Sequence, residues 1–232
     1  MEGPKKIEAR AVIKPAQIAV QAMGDIQVNL GALHLLSATI FSRRVQELEA
    51  EHAGKEFGEF WHEIFANASG VVFMSVAALE SYINELFIDY KKVFPELRTE
   101  VIAKLWKLVE QKPILEKYKF ALLLKNGPAF NESARPYQDV ATLINLRNAL
   151  IHFKPEYFSK QDKHAKLSKS LRGKATLSPF FPQSEPPFPL GWASHATVKW
   201  AIKSTLDFIL EFEKRAKIEQ RMAKFKDQFN AL

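Results

Sequence analysis

From Ile26 to Ile209 the apolar residues of this chain recur at three- and four-residue steps, and prolines and glycines interrupt that period without replacing it. A 3.6-residue period held this long does not give the alternating faces of a sheet, so the chain must bury its apolar stripes helix against helix. Ile26, Leu30, Leu33 and Ile40 mark a first helix running to about Ala50. A pause at Gly54 precedes a long helical region from Phe57 to about Val93, stopped by Pro95. Its apolar face reads Val72, Phe73, Val76, Leu79, Ile83, Leu86 and Phe87. Leu97, Val101, Leu105 and Leu108 mark the next helix, ended by Pro113, and ILEKYKFALLL a short one that closes at Asn126-Gly127, a C-cap pair. After the turn-rich NGPAFNESARP, a helix runs from about Pro136 to Phe153. Residues 154–173 are basic and weakly helical. The last helix carries Val198, Ile202, Leu206 and Ile209, and the charge of the following KRAKIEQRMAKFK predicts a solvated extension.

Two segments stand outside the pattern. Residues 1–25 hold short alternations and Pro15, which fit extended pieces or an irregular arm. KATLSPFFPQSEPPFPLGW carries five of the chain's 12 prolines and reads as an aromatic-rich loop, either ordered or a flexible flap. The expectation is an all-α protein: an N-terminal arm over residues 1–25, then a single helical-bundle domain over 26–232 with a Pro-rich loop insertion.

Several chemistries are excluded outright. The chain has no cysteine, so disulfides, thiolate catalysis and cysteine zinc sites are absent. It has no Gly-rich phosphate loop of the GxxxxGK type, no HExxH, no GxSxG and no EF-hand loop, and no metal or cofactor is expected. His62 precedes Glu63 without a second histidine four residues on, and His34, His52, His164 and His195 are isolated in sequence. MEGPKKIEAR has no apolar signal core, and the longest apolar stretch, GVVFMSVAAL, falls short of the ~20 residues of a membrane span. The expectation is a cytoplasmic protein without membrane contact, in which the glycosylation-type NAS at Asn67 has no meaning. A net charge of +7 favours polyanionic partners, RNA among them.

One stretch departs from simple amphipathicity. In LINLRNALIHFKPE, Leu143 to Glu156, three polar side chains lie inside an apolar run. Asn148 and His152 are four residues apart and lie one above the other on a helix, with Arg147 flanking them. Leu143, Leu146, Leu150 and Ile151 are free to bury the other side. Pro155 disfavours helix at Lys154, which puts His152 in the last turn, where the dipole favours a positive charge. Arg147 adds a permanent cation whose planar fork suits phosphate oxygens. Such a set can cleave RNA without a metal. The 2′-hydroxyl attacks the adjacent phosphorus, an acid and a base move the protons, and a cation stabilises the phosphorane. His152 can act as base or acid, Arg147 can hold the phosphate, and Asn148 can fix the imidazole or a phosphate oxygen. One histidine is few for two proton transfers, and two copies of the site facing each other across a homodimer would supply the second. Upstream, Glu80 and Asn84 share a helix face. They read either as a polar stripe beside the core or as groups that orient this site through hydrogen bonds.

RNALIH resembles the Arg-Asn-x-x-x-His motif of the HEPN superfamily of all-α domains. VAALESYINELF is similar to the long helix that precedes the motif helix in many members, and ATVKWAIKSTLDFILEF looks like the family's closing helix, so the likeness covers roughly residues 57–213 in patches. The resemblance implies a helical bundle, usually dimeric, with the two motifs meeting at a cleft. It implies a metal-independent endoribonuclease of a defence or toxin system, with an antitoxin or other protein partner, or else a non-catalytic module that binds RNA or protein. Arg147, Asn148 and His152 carry over as the catalytic set. Toxin members often have a tyrosine two residues after the histidine. Here that position is Lys154, which points to a contact with the RNA backbone instead, and Tyr157 is out of register.

Overall fold

The computed structural model describes residues 29–155, 162–174 and 176–225. The expected N-terminal arm, residues 1–25, lies outside them, as does Tyr157. The described residues are all-α, with no strand among them: α1 (Leu30–Glu51), α2 (Phe60–Ile88), the single turn α3 (Tyr90–Val93), α4 (Thr99–Val109), α5 (Ile114–Leu124), α6 (Tyr137–Ile151), α7 (Asp162–Arg172) and α8 (His195–Ala216). A π-type turn spans Pro187–Gly191 and a 3-10 turn Met222–Phe225.

α2 is the axis of the bundle and packs on α1, α5, α6 and α8. Val72, Val76, Leu79, Ile83, Leu86 and Phe87 are buried as the period requires, whereas Phe73, expected on the same face, is only partly buried. Among the described residues α2 is the one helix long and apolar enough to cross a membrane, and 56% of that apolar window is buried inside the bundle. α1 runs antiparallel to α2. Glu85, near the end of α2, accepts the N–H of Gly31 at the start of α1 (2.9 Å), and Arg44 meets Glu63 at the other end of the pair (2.7 Å). Glu49 of α1 likewise accepts the N–H of His195 at the start of α8 (2.8 Å), where Ser194 caps the Thr197 N–H (3.1 Å). These carboxylates satisfy orphan donors of neighbouring helices. Burial pushes the pKa of both Glu85 and Glu49 up, against the lowering effect of the N–H bonds they accept.

The first helix buries a different face from the one expected. Leu30, Leu33 and Ile40 are 48%, 49% and 65% exposed, and the core face is Ala32, Leu35, Ala38, Thr39, Ser42, Val45 and Leu48. Two glycines make room between the helices: a Cβ on Gly31 would lie 3.2 Å from the Tyr82 backbone, and one on Gly70 would lie 3.0 Å from the Phe41 ring. α4 shows the same shift of face, with Leu108 exposed and Ile102 and Val109 buried.

α5 ends as the sequence indicates. Asn126 adopts a positive φ of 50°, its N–H donates to Leu123 O (3.1 Å), and the Gly127 N–H reaches back to Leu122 O (2.9 Å), the paired bonds of a Schellman cap. Gly127 is needed for a second reason, because a Cβ there would lie 2.7 Å from the Arg215 carbonyl oxygen. Arg215 in turn donates to Ala129 O (2.6 Å) and lies 5.4 Å over the Phe130 ring, fixing the turn-rich loop to α8.

The Pro-rich segment is ordered. Its described residues pack Phe188 and Trp192 into the core, with Leu177 and Ser178 buried beside them. The Trp192 indole N–H donates to Pro189 O (2.9 Å), the Ser178 N–H to Gly191 O (2.8 Å), and Arg172 of α7 to Gln183 O (2.9 Å). Among the described residues the chain after α8 does not run on as the expected solvated extension. Lys217 takes a positive φ of 51°, the chain turns back, and Met222 is fully buried. Glu213 anchors this return. Its Oε1 accepts from Tyr82 Oη (2.6 Å) and from the Met222 N–H (3.1 Å), and burial raises its pKa above the ordinary 4.5.

Candidate active site at the end of α6

α6 places the motif where the bundle meets solvent. Val140, Leu143 and Leu146 are buried against α2 and α8, which fixes the rotation of the helix and turns Asn145, Asn148 and His152 outward. His152 is the C-cap. Its N–H donates to Asn148 O (2.9 Å), and its φ and ψ of −107° and 36° have left the helix. α6 thus ends at Ile151, two residues before the bound of Phe153 expected from sequence, and Pro155 keeps Lys154 from resuming it.

The three motif side chains are held by no local bond. Asn148 and His152 are exposed, and neither makes a side-chain hydrogen bond among the described residues. Arg147 is half-buried, with Nε enclosed and unpartnered, and no described carboxylate pairs with it. A guanidinium that merely stabilised the helix end would be found on a carboxylate or on the last carbonyls. Lys154 is exposed and its ammonium has no ion pair among the described residues. No group of three or more His, Asp or Glu able to hold a metal occurs among the described residues.

Glu80 and Asn84 do share a face, and that face is turned to α5. Lys117, 2% exposed, brings its ammonium to Glu80 Oε1 (3.0 Å) and Asn84 Oδ1 (3.2 Å), with the Trp106 ring 5.7 Å away. The bonds these two residues make go to this buried lysine. The polar stripe of α2 is therefore the partner of a core cation.

A second histidine joins the motif edge. His164 of α7 stacks on Phe153 (ring centroids 5.6 Å apart, planes 12° off parallel) and lies 4.7 Å from the Phe188 ring. Its Nε2 is 3.2 Å from the carbonyl of Lys154. A carbonyl only accepts, so this nitrogen carries a proton. The sequence marks His164 as isolated, because its partners, Phe153, the Lys154 carbonyl and Phe188, lie on other parts of the chain. The one local sign is Phe153, an aromatic residue directly after the motif histidine with no helical face to bury it.

No family model, curated protein or solved structure matches the chain.

Proposed function

We propose that the chain is a HEPN-like, metal-independent endoribonuclease acting in the cytoplasm, with Arg147, Asn148 and His152 as its reacting set. The observation that carries this reading is the state of those side chains. An amide and an imidazole stand in solvent and a guanidinium keeps an unpartnered edge, on a helix whose opposite face is firmly packed. Asn148 and His152 stand open to an anion and stabilise nothing nearby, and the enclosed Nε of Arg147 is a donor left without the acceptor that a buried polar group ordinarily has. His152 moves the proton of the attacking 2′-hydroxyl or of the leaving 5′-oxygen. Arg147 neutralises the phosphorane, and Asn148 positions whichever oxygen or nitrogen it faces. A homodimer that brings two His152 side chains together supplies the acid and the base at once.

The test is incubation of purified chain with single-stranded RNA, with and without EDTA, beside light scattering on the same sample. Cleavage that leaves cyclic phosphate ends, unaffected by EDTA, from a species of twice the chain mass is the expected result. Intact RNA in both arms overturns the nuclease. Cleavage by a monomer overturns the two-histidine scheme.

Lys154 takes the place of the toxin-type tyrosine and is proposed to touch the RNA backbone. Lys154→Ala is expected to weaken RNA binding and to flatten its log–log salt dependence by about one unit, the share of one phosphate contact. An unchanged slope means that this ammonium stays in solvent.

A further inference from the structure

α6 and α7 enclose a groove of about 370 Å³ directly beside the motif. Its α6 wall is Thr142, Asn145 and Ala149, and its α7 wall is His164, Lys166, Leu167 and Ser170. Asn145 and His152 are seven residues apart, two turns of one helix face or ~10 Å, so a single ligand reaches from the groove to the imidazole. The volume falls within the range of small-molecule sites, roughly 300–1,000 Å³.

The lining is specific in kind. Ala149 and Leu167 offer apolar contact to a flat ring. The Asn145 amide is exposed and makes no side-chain hydrogen bond among the described residues, so a donor and an acceptor stand ready together. The Thr142 and Ser170 hydroxyls donate back to Gln138 O and Lys166 O (3.0 Å each), which leaves their lone pairs to accept. No carboxylate lines the groove, while Lys166 and His164 do, a charge balance that suits an anion. His164 joins the groove to the motif, since the same ring lines the wall and holds the Lys154 carbonyl.

We propose that this groove is a base-binding subsite, taking one unstacked nucleobase of a single-stranded RNA whose neighbouring phosphate lies at His152. The proposal rests on the ribonuclease reading for its substrate and adds where sequence preference arises. An amide and two hydroxyls beside apolar contact are what reads the edge of a splayed base, and a double-stranded partner could not present one.

The test is titration of the four 3′-nucleoside monophosphates into the full chain, followed by nuclear magnetic resonance, with Asn145→Ala and Ser170→Phe as variants. Both positions lie on helix surfaces, and circular dichroism confirms their fold. At least one of the four is expected to bind saturably, and each variant to lose about tenfold in affinity, the scale of a hydrogen bond or of a filled site. The same variants are expected to change which nucleotide flanks the cut in RNA. No saturable binding by any of the four, or equal binding by wild type and both variants, overturns the subsite. The two readings fail separately. Nucleotide binding lost in the variants, with no RNA cleavage by wild type, supports the groove and removes the nuclease. Cleavage with unchanged rate and preference in both variants removes the groove alone.

Discussion

Arg147→Ala and His152→Ala are each expected to lower RNA cleavage by about 10²-fold or more, the scale for losing a general acid–base or a charge stabiliser, while the fold survives. The His152 side chain is exposed and makes no hydrogen bond among the described residues, so its removal strands no partner. Arg147 gives up some stem packing, but it also takes away an enclosed nitrogen that has no acceptor. The melting temperature is therefore expected to move by only a few degrees in either variant, about what 1 kcal/mol does in a chain of this size. Arg147→Lys separates charge from shape. It keeps the cation and loses the fork, and its activity is expected to fall between wild type and alanine. If both groups serve one transition state, the double variant costs far less than the product of the singles. The opposite pattern sinks the reading: a wild type that cuts no RNA, with either alanine variant unfolding several degrees early.

How much of this was legible in the sequence follows from the range over which each signal acts. α5 could be read to the residue, because Pro113 starts it and Asn126-Gly127 ends it, all local chemistry. The phase of α1 could not. Its large residues Leu30, Leu33 and Ile40 suggest a stripe, yet the buried face is lined largely by Gly31, Ala32, Ala38 and Ser42, with Gly31 close against the Tyr82 backbone of α2. Periodicity says that a helix is amphipathic, but it does not say whether bulk or closeness decides the buried face. The described residues after α8 were misread because charge was counted and Met222 was not, and only the turn at Lys217 brings that side chain home. At the site, Arg147, Asn148 and His152 were legible because they sit within one and a half turns of one helix. Lys117 and His164 were not, because tertiary packing brings them to partners on other elements: Lys117 33 and 37 residues from Asn84 and Glu80, and His164 ten residues past the Lys154 carbonyl.

Glu80→Ala is expected to be among the most destabilising single changes on the face of α2 and to leave cleavage intact. The Lys117 side chain is 3% exposed and Glu80 46%, so the two ends of the pair are unequal. Without Glu80 the ammonium stays inside the bundle with only Asn84 and the Trp106 ring to meet it. Breaking a fully buried pair costs about 3–5 kcal/mol, and the exposure of Glu80 brings the expectation down to about 2–3 kcal/mol. In a chain of this length that is a fall of roughly 5–10 °C in Tm. Lys117→Met reverses the asymmetry. It removes the buried charge, fills the space with a flexible apolar chain, and leaves behind a carboxylate that water can reach, so its cost is expected to stay below about 1 kcal/mol. The ordering of the two variants, read by thermal melts, is the decisive quantity: equal losses would mean that the pair works as a surface bridge. Cleavage measured well below both melting points completes the comparison. If Glu80 and Asn84 hold Lys117 and nothing else, Glu80→Ala cuts RNA at the wild-type rate, whereas a tenfold loss there would return those two residues to the active site.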